Sequence, residues 1–339
     1  MTTPAATAAS APASAPAQHQ PPPGRGKAKP AAPKKLAVDY RYAGRFNHKT
    51  FVEAFNKGAW GNPVGANANS DILTLLGMIE ADSQITDIRW MAYMLATVLK
   101  ETTHPPPRER VLDKEGQPVL DKRGQPMWHP IKNWVVTMAP VAEVGRGKGR
   151  AYHEPVKVTK LEDGTARVVE QDGDQFSISL AGVIRPAKKT AAMGTTDGGD
   201  AVKAYNDDTG TPLSYFGRGY VQLTWWSNYA AAGIALGLGL ELLFDPDRVY
   251  EPAIAYKIMS HGMRTGFGFA NGRTFSKYFS GSSTNYVGAR AMVNGRDSAQ
   301  EIASYAQRFE AALFASRQLP PTAAASTVPA NATPSGAPP

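Results

Sequence analysis

From Met91 to Leu99 every residue but Thr97 is apolar. The run is far short of the roughly 20 residues that cross a bilayer, so it reads as one strongly apolar helix. Thr86-Asp87 supplies its start, the pattern runs from Ile88 to about Thr102, and Pro105-Pro106-Pro107 closes the region. Trp90, Met94, Thr97 and Glu101 follow at steps of 4, 3 and 4 and share one face. Glu101 is thus an acid at the end of an apolar helix. Partial desolvation there raises a carboxyl pKa, as a general acid requires. The alternative is an ordinary exposed Glu at a helix end.

The other segments place this helix in a mainly α chain. Thr50-Phe51-Val52-Glu53 has capping-box spacing and opens a short helix. Ser70 caps a second, carrying Ile72, Leu75, Leu76 and Ile79. Asn228 to Leu236 reads as a helix, and Pro252 begins another through about Met263. Ser298-Ala299-Gln300-Glu301 opens a long one to about Arg317, with Ile302, Tyr305, Phe309 and Leu313 on one face. Residues 155–180 instead alternate around Asp163-Gly164 and Asp172-Gly173, which predicts a small β-meander. Residues 190–212 read as loop. An eight-residue unit repeats once, from Val111 and from Val119, and predicts turns or a hairpin in an insertion.

Residues 1–38 are rich in Ala, Pro and Lys, and residues 319–339 in Pro, Ala, Ser and Thr. Neither buries enough apolar surface to offset ordering, so both are expected to be disordered tails. Residues 39–318 are left as the domain, with insertions at about 105–138 and 155–205. Residues 1–45 hold seven basic residues against one acid, a net +6 of the chain's +8. The folded part is therefore close to neutral, and no nucleic-acid partner is expected. The basic tail suits an anionic surface or serves as a solubilising linker. There are no cysteines. No secretory signal and no membrane span are legible, so the chain is expected to be soluble and made in the cytoplasm. Action on a cell wall would then need release or delivery by another route.

Tyr215 to Tyr229 brackets Arg218 with two glycines and adds Gln222, Thr224 and Asn228 among aromatics. Thr224 can hold a water, and Gln222 and Asn228 can bond sugar hydroxyls or acetamides. Tyr215, Tyr220, Trp225 and Trp226 either stack on pyranose faces or belong to the core. Hydrolysis of a glycosidic bond needs a second carboxylate, for which Glu109, Glu115, Glu143 and Glu154 are all open. Glu143 precedes a Gly-rich loop that lacks the Gly-Lys-Ser/Thr ending of a phosphate cradle. The histidines are scattered without metal-ligand spacing, and no cofactor is expected.

Gly217-Arg218-Gly219, Gln222-Leu223-Thr224 and Asn228-Tyr229 resemble the signature of glycoside hydrolase family 19, which includes chitinases and phage or bacterial endolysins. Met91 to Thr102 resembles the family's segment ending His-Glu-Thr, with Lys100 in place of the His. Tyr286 to Gly295 is similar to its Ile-Asn-Gly segment. The resemblance spans about residues 45–315 and implies a lysozyme-like α+β fold with the meander inserted. It also implies Glu101 as general acid, Thr224 as water holder, and Gln222, Asn228 and Asn294 as sugar-binding residues. Tyr215, Trp225 and Arg218 join them on the substrate side. Pro140-Val141-Ala142-Glu143-Val144-Gly145 matches the endolysin-type segment of the second carboxylate and favours Glu143 over Glu109.

The expectation is an inverting hydrolase, acting as a monomer, that cleaves β-1,4 links between N-acetylhexosamines. Peptidoglycan is favoured over chitin by the basic tail and the lack of cysteines. A chitinase is the runner-up. A non-catalytic glycan-binding or virion protein is the alternative of another class.

Overall fold

The computed structural model describes residues 38–42, 44–105, 110–127, 134–181, 184–187 and 210–318. Its first helices are α1 (His48–Asn56), α2 (Ala68–Ala81) and α3 (Ile88–Thr102). The α3 boundaries match the expectation, and the Asp87 side chain accepts from the backbone N–H of Arg89. The first two helices begin earlier than predicted. Asn47 caps α1 by accepting from Thr50 N–H, and Ser70 lies inside α2. Asn47 outcompetes Thr50 for the α1 cap, where Asn is at least as good, whereas Asn67 before α2 makes no side-chain capping bond.

Only Trp90, Lys100 and Glu101 of α3 escape full burial. The helix packs on α9 (Ala299–Ser316), which also meets α1. Phe309 of α9 stacks on Trp60 at 4.6 Å and on Phe55 at 6.1 Å. Ser298 does not cap α9. It sits at φ 55° with no side-chain bond to the helix, and Glu301 turns instead to Lys100 and Tyr305, at 2.6 Å each. The tertiary ion pair displaces the local capping box.

The short strand β1 (Arg45–Phe46) pairs antiparallel with β11 (Arg317–Gln318). After α3 the two repeats form stacked turns. Asp113 Oδ1 accepts from the N–H groups of Glu115 and Gln117, and Asp121 does the same for Arg123 and Gln125. Val119 N–H donates to Val111 and Met127 N–H to Val119.

Next, β2 (Val141–Ala142) pairs antiparallel with β8 (Arg218–Gly219). Between them lie β3 (Val156–Lys160), β4 (Ala166–Val169), β5 (Gln175–Ile178), β6 (Ile184–Ala187) and β7 (Thr211–Leu213). They form one antiparallel sheet in the order β6-β5-β4-β3-β7. The predicted three-stranded meander is its centre. The stretch read as loop contributes β7, whose Pro212 is tolerated because it lies on an edge.

The rest is helical: α4 (Trp226–Ala235), α5 (Glu241–Phe244), α6 (Pro252–Thr265), α7 (Phe275–Tyr278) and α8 (Tyr286–Ala289). A hairpin of β9 (Phe279–Ser280) and β10 (Ser283–Thr284) sits between the last two. The fold is mainly α with small β elements. Among the described residues no helix is long and apolar enough to cross a membrane. The expected tails, and Glu109, fall mostly or wholly outside the described residues.

Candidate active site

Glu101 ends α3 half-buried, its side chain 15% exposed. Its Oε1 accepts from Nη1 of Arg290 at 2.5 Å. Arg290 is fully buried, and its Nε donates to the carbonyl of Asp297 at 2.8 Å. A buried guanidinium held at both ends fixes the carboxyl in orientation. Lys100, one residue earlier, pairs with Glu301 at 2.6 Å.

Glu143 follows β2, and the β2–β8 pairing delivers it to the signature loop. Its N–H donates to the Gly217 carbonyl at 2.7 Å. Its Oε2 accepts from the Gly217 N–H at 3.1 Å, and its Oε1 from the Tyr152 hydroxyl at 2.9 Å. Both carboxylate oxygens are therefore held. Burial and the Glu143 carboxylate push the Tyr152 phenol up to about 12, so it stays a donor at neutral pH. Gly147 permits this contact: a Cβ there would lie 2.5 Å from the Tyr152 ring.

In the signature loop, Gln222 adopts φ 52° and its Nε2 donates to the carbonyls of Val141 and Gly219, both at 3.1 Å. Arg218 turns inward rather than toward a ligand. It is 4% exposed, its Nε bonds Asp247 at 2.8 Å, and its Nη1 bonds the Ser214 carbonyl and the Tyr229 hydroxyl. Its guanidinium lies over the Phe216 ring, 3.6 Å from the centroid. Gly219 next to it has φ 80°, and a Cβ would meet Val249 at 2.8 Å. Gly219→Ala is expected to cost about 2–4 kcal/mol. An unchanged urea midpoint would contradict this packing.

Glu101, Glu143, Gln222, Thr224 and Asn294 all line one cleft of about 550 Å³. Four distant segments of the chain thus meet there. Arg218, Tyr215 and Asn228 are not among its lining residues. Tyr215 is buried, with its hydroxyl on the Leu243 carbonyl at 2.5 Å. The Asn228 Nδ2 donates to the Thr224 carbonyl at 2.9 Å, and its side chain faces a separate small pocket beside Phe267 and Phe269. Trp225 borders the cleft only through Tyr152, which it meets edge-on at 5.7 Å. Of the other carboxylates considered, Glu115 is exposed on the repeat turns and Glu154 lies in a neighbouring cavity.

Sequence reading passed over Arg290, Tyr152, His104 and Trp134, although the last three line the cleft. The one available signal was Tyr152 closing the Gly-rich loop after Glu143. Among the described residues, the carboxylates of Glu170, Asp172 and Asp174 gather within 4.8 Å of one another. They sit around the β4–β5 turn and line no part of the cleft.

No family model matches the chain, and no solved structure matches it. The chain is similar to an acidic 26 kDa endochitinase of Solanum lycopersicum, 50% identical over 44 residues, which make up 13% of this chain and 17% of that relative.

Proposed function

We propose that the chain is an inverting glycoside hydrolase that cleaves β-1,4 links between N-acetylhexosamines, with peptidoglycan as its substrate. One observation carries the reading. Two carboxylates, a threonine and two amides predicted from separate segments line a single cleft. Glu101 donates the proton to the leaving oxygen. Glu143 takes the proton of the attacking water, which Thr224 helps to hold. Gln222 and Asn294 bond the sugar. Arg290 and Tyr152 are positioning residues for the two carboxyls, and Arg218 supports the loop from within. The basic tail and the cysteine-free composition favour an anionic wall polymer over chitin.

The local likeness to an endochitinase supports a second reading, chitin hydrolysis by the same cleft. A zymogram of the full chain on purified peptidoglycan and on chitin separates the two. Clearing of the first alone is the expected result. Clearing of chitin alone transfers the function to chitin, and activity on neither, with retained glycan binding, supports a binding protein. Tyr152→Phe removes one hydrogen bond to a charged group. It is expected to lower kcat about tenfold with KM little changed. A rise in KM alone would place Tyr152 in substrate binding instead.

A further inference from the structure

Beside the cleft, and sharing Tyr152 with it, lies a second cavity of about 220 Å³. Its walls have two origins. Tyr215, Trp225 and Trp226 come from the signature loop, and Val156, Glu170 and Asp172 from the inserted sheet and its turn. Trp225 is 46% exposed. Its backbone sits at φ 70°, a region that bulky side chains avoid. Its N–H is tied to the Tyr215 carbonyl at 3.0 Å. A strained backbone therefore presents a large ring that the core does not use.

Trp226 next to it is buried and joins the loop to the sheet. Its Nε1 donates to Glu170 Oε1 at 2.7 Å, and Phe176 of β5 packs against it at 5.1 Å. The sheet is thus fixed to the loop where the cavity forms. A flat ring beside rim carboxylates has the chemistry that recognises a pyranose. The C–H face lies on the ring, and hydroxyls donate to the acceptors.

We infer that this side cavity is an additional sugar-binding subsite, built by the inserted sheet onto Trp225. It takes one hexosamine of a chain whose neighbouring units occupy the cleft. The inference rests on the hydrolase reading of that cleft. It assigns the insertion a role in selecting long glycans over short ones.

The test compares the full chain with Trp225→Ala, Trp225→Phe and Asp172→Ala. Each is assayed on peptide-free glycan-strand fragments of four and six N-acetylhexosamines, with calorimetric binding of both. The wild type should prefer the longer fragment. Trp225→Ala should cut the six-to-four ratio of kcat/KM about tenfold, through KM. Trp225→Phe should restore part of the ratio, and Asp172→Ala should lower it in the same direction. A ratio unchanged in the alanine variants, or equal losses on both lengths, overturns the subsite. A wild type that binds the longer fragment through Trp225 but cleaves neither supports the subsite and overturns the hydrolase reading.

Discussion

Glu101→Gln should lower turnover on peptidoglycan by about a thousandfold or more while leaving glycan binding measurable. A positioned proton donor contributes about 10²- to 10⁴-fold, and an amide cannot replace it. The same substitution has a second consequence. Arg290 is 1% exposed and loses its counter-charge, although the amide oxygen can still accept its hydrogen bond. Folding stability should therefore fall by about 1–3 kcal/mol. A urea melt run beside the assay separates the two effects. Turnover near the wild-type level in the folded variant would remove Glu101 from the chemistry.

The second large effect is expected at Glu143. Glu143→Ala deletes the group assigned to activate water, with a loss of about 10²- to 10⁴-fold. It also vacates the space between Tyr152 and Gly217. A small anion such as azide can enter there and attack the anomeric carbon without a base. It should partly restore turnover and yield a glycosyl azide of inverted configuration. Activity that survives Glu143→Ala but disappears in Glu109→Ala would assign the base to Glu109. An azide product of retained configuration would contradict inversion.

Much of this was legible in the sequence because it is local. The apolar run and the Asp87 start define α3 and deliver Glu101 to its end. Alternation around Asp-Gly turns defines the middle of the inserted sheet. What escaped was set by distance along the chain. Arg290 meets Glu101 from 189 residues away, and no spacing rule links them. Arg218 stands in a Gly-rich loop of the kind that faces ligands. Its inward turn depends on Asp247 and Tyr229, which no local pattern connects to it. Asn228 went the same way, since a side-chain amide can as readily bond its own loop as a sugar. Residue type alone left Trp225 and Trp226 alike as stacking or core rings, and only Trp225 was placed on the substrate side; one is 46% exposed and the other 6%. The difference comes from the φ of 70° at Trp225, which no single residue type encodes.

The two-residue pairing of β2 with β8 joins Val141 to Gly219 and Ala142 to Arg218. Glu143 and Gly217 sit at this neck, 74 positions apart, and the five-stranded sheet lies within the loop it closes. Closing a loop costs entropy that grows only with the logarithm of its length, about 0.6 kcal/mol per doubling. The neck therefore lets the intervening segment vary in length at small entropic cost. Its length can change across generations of a gene while the pairing holds the carboxylate at its root.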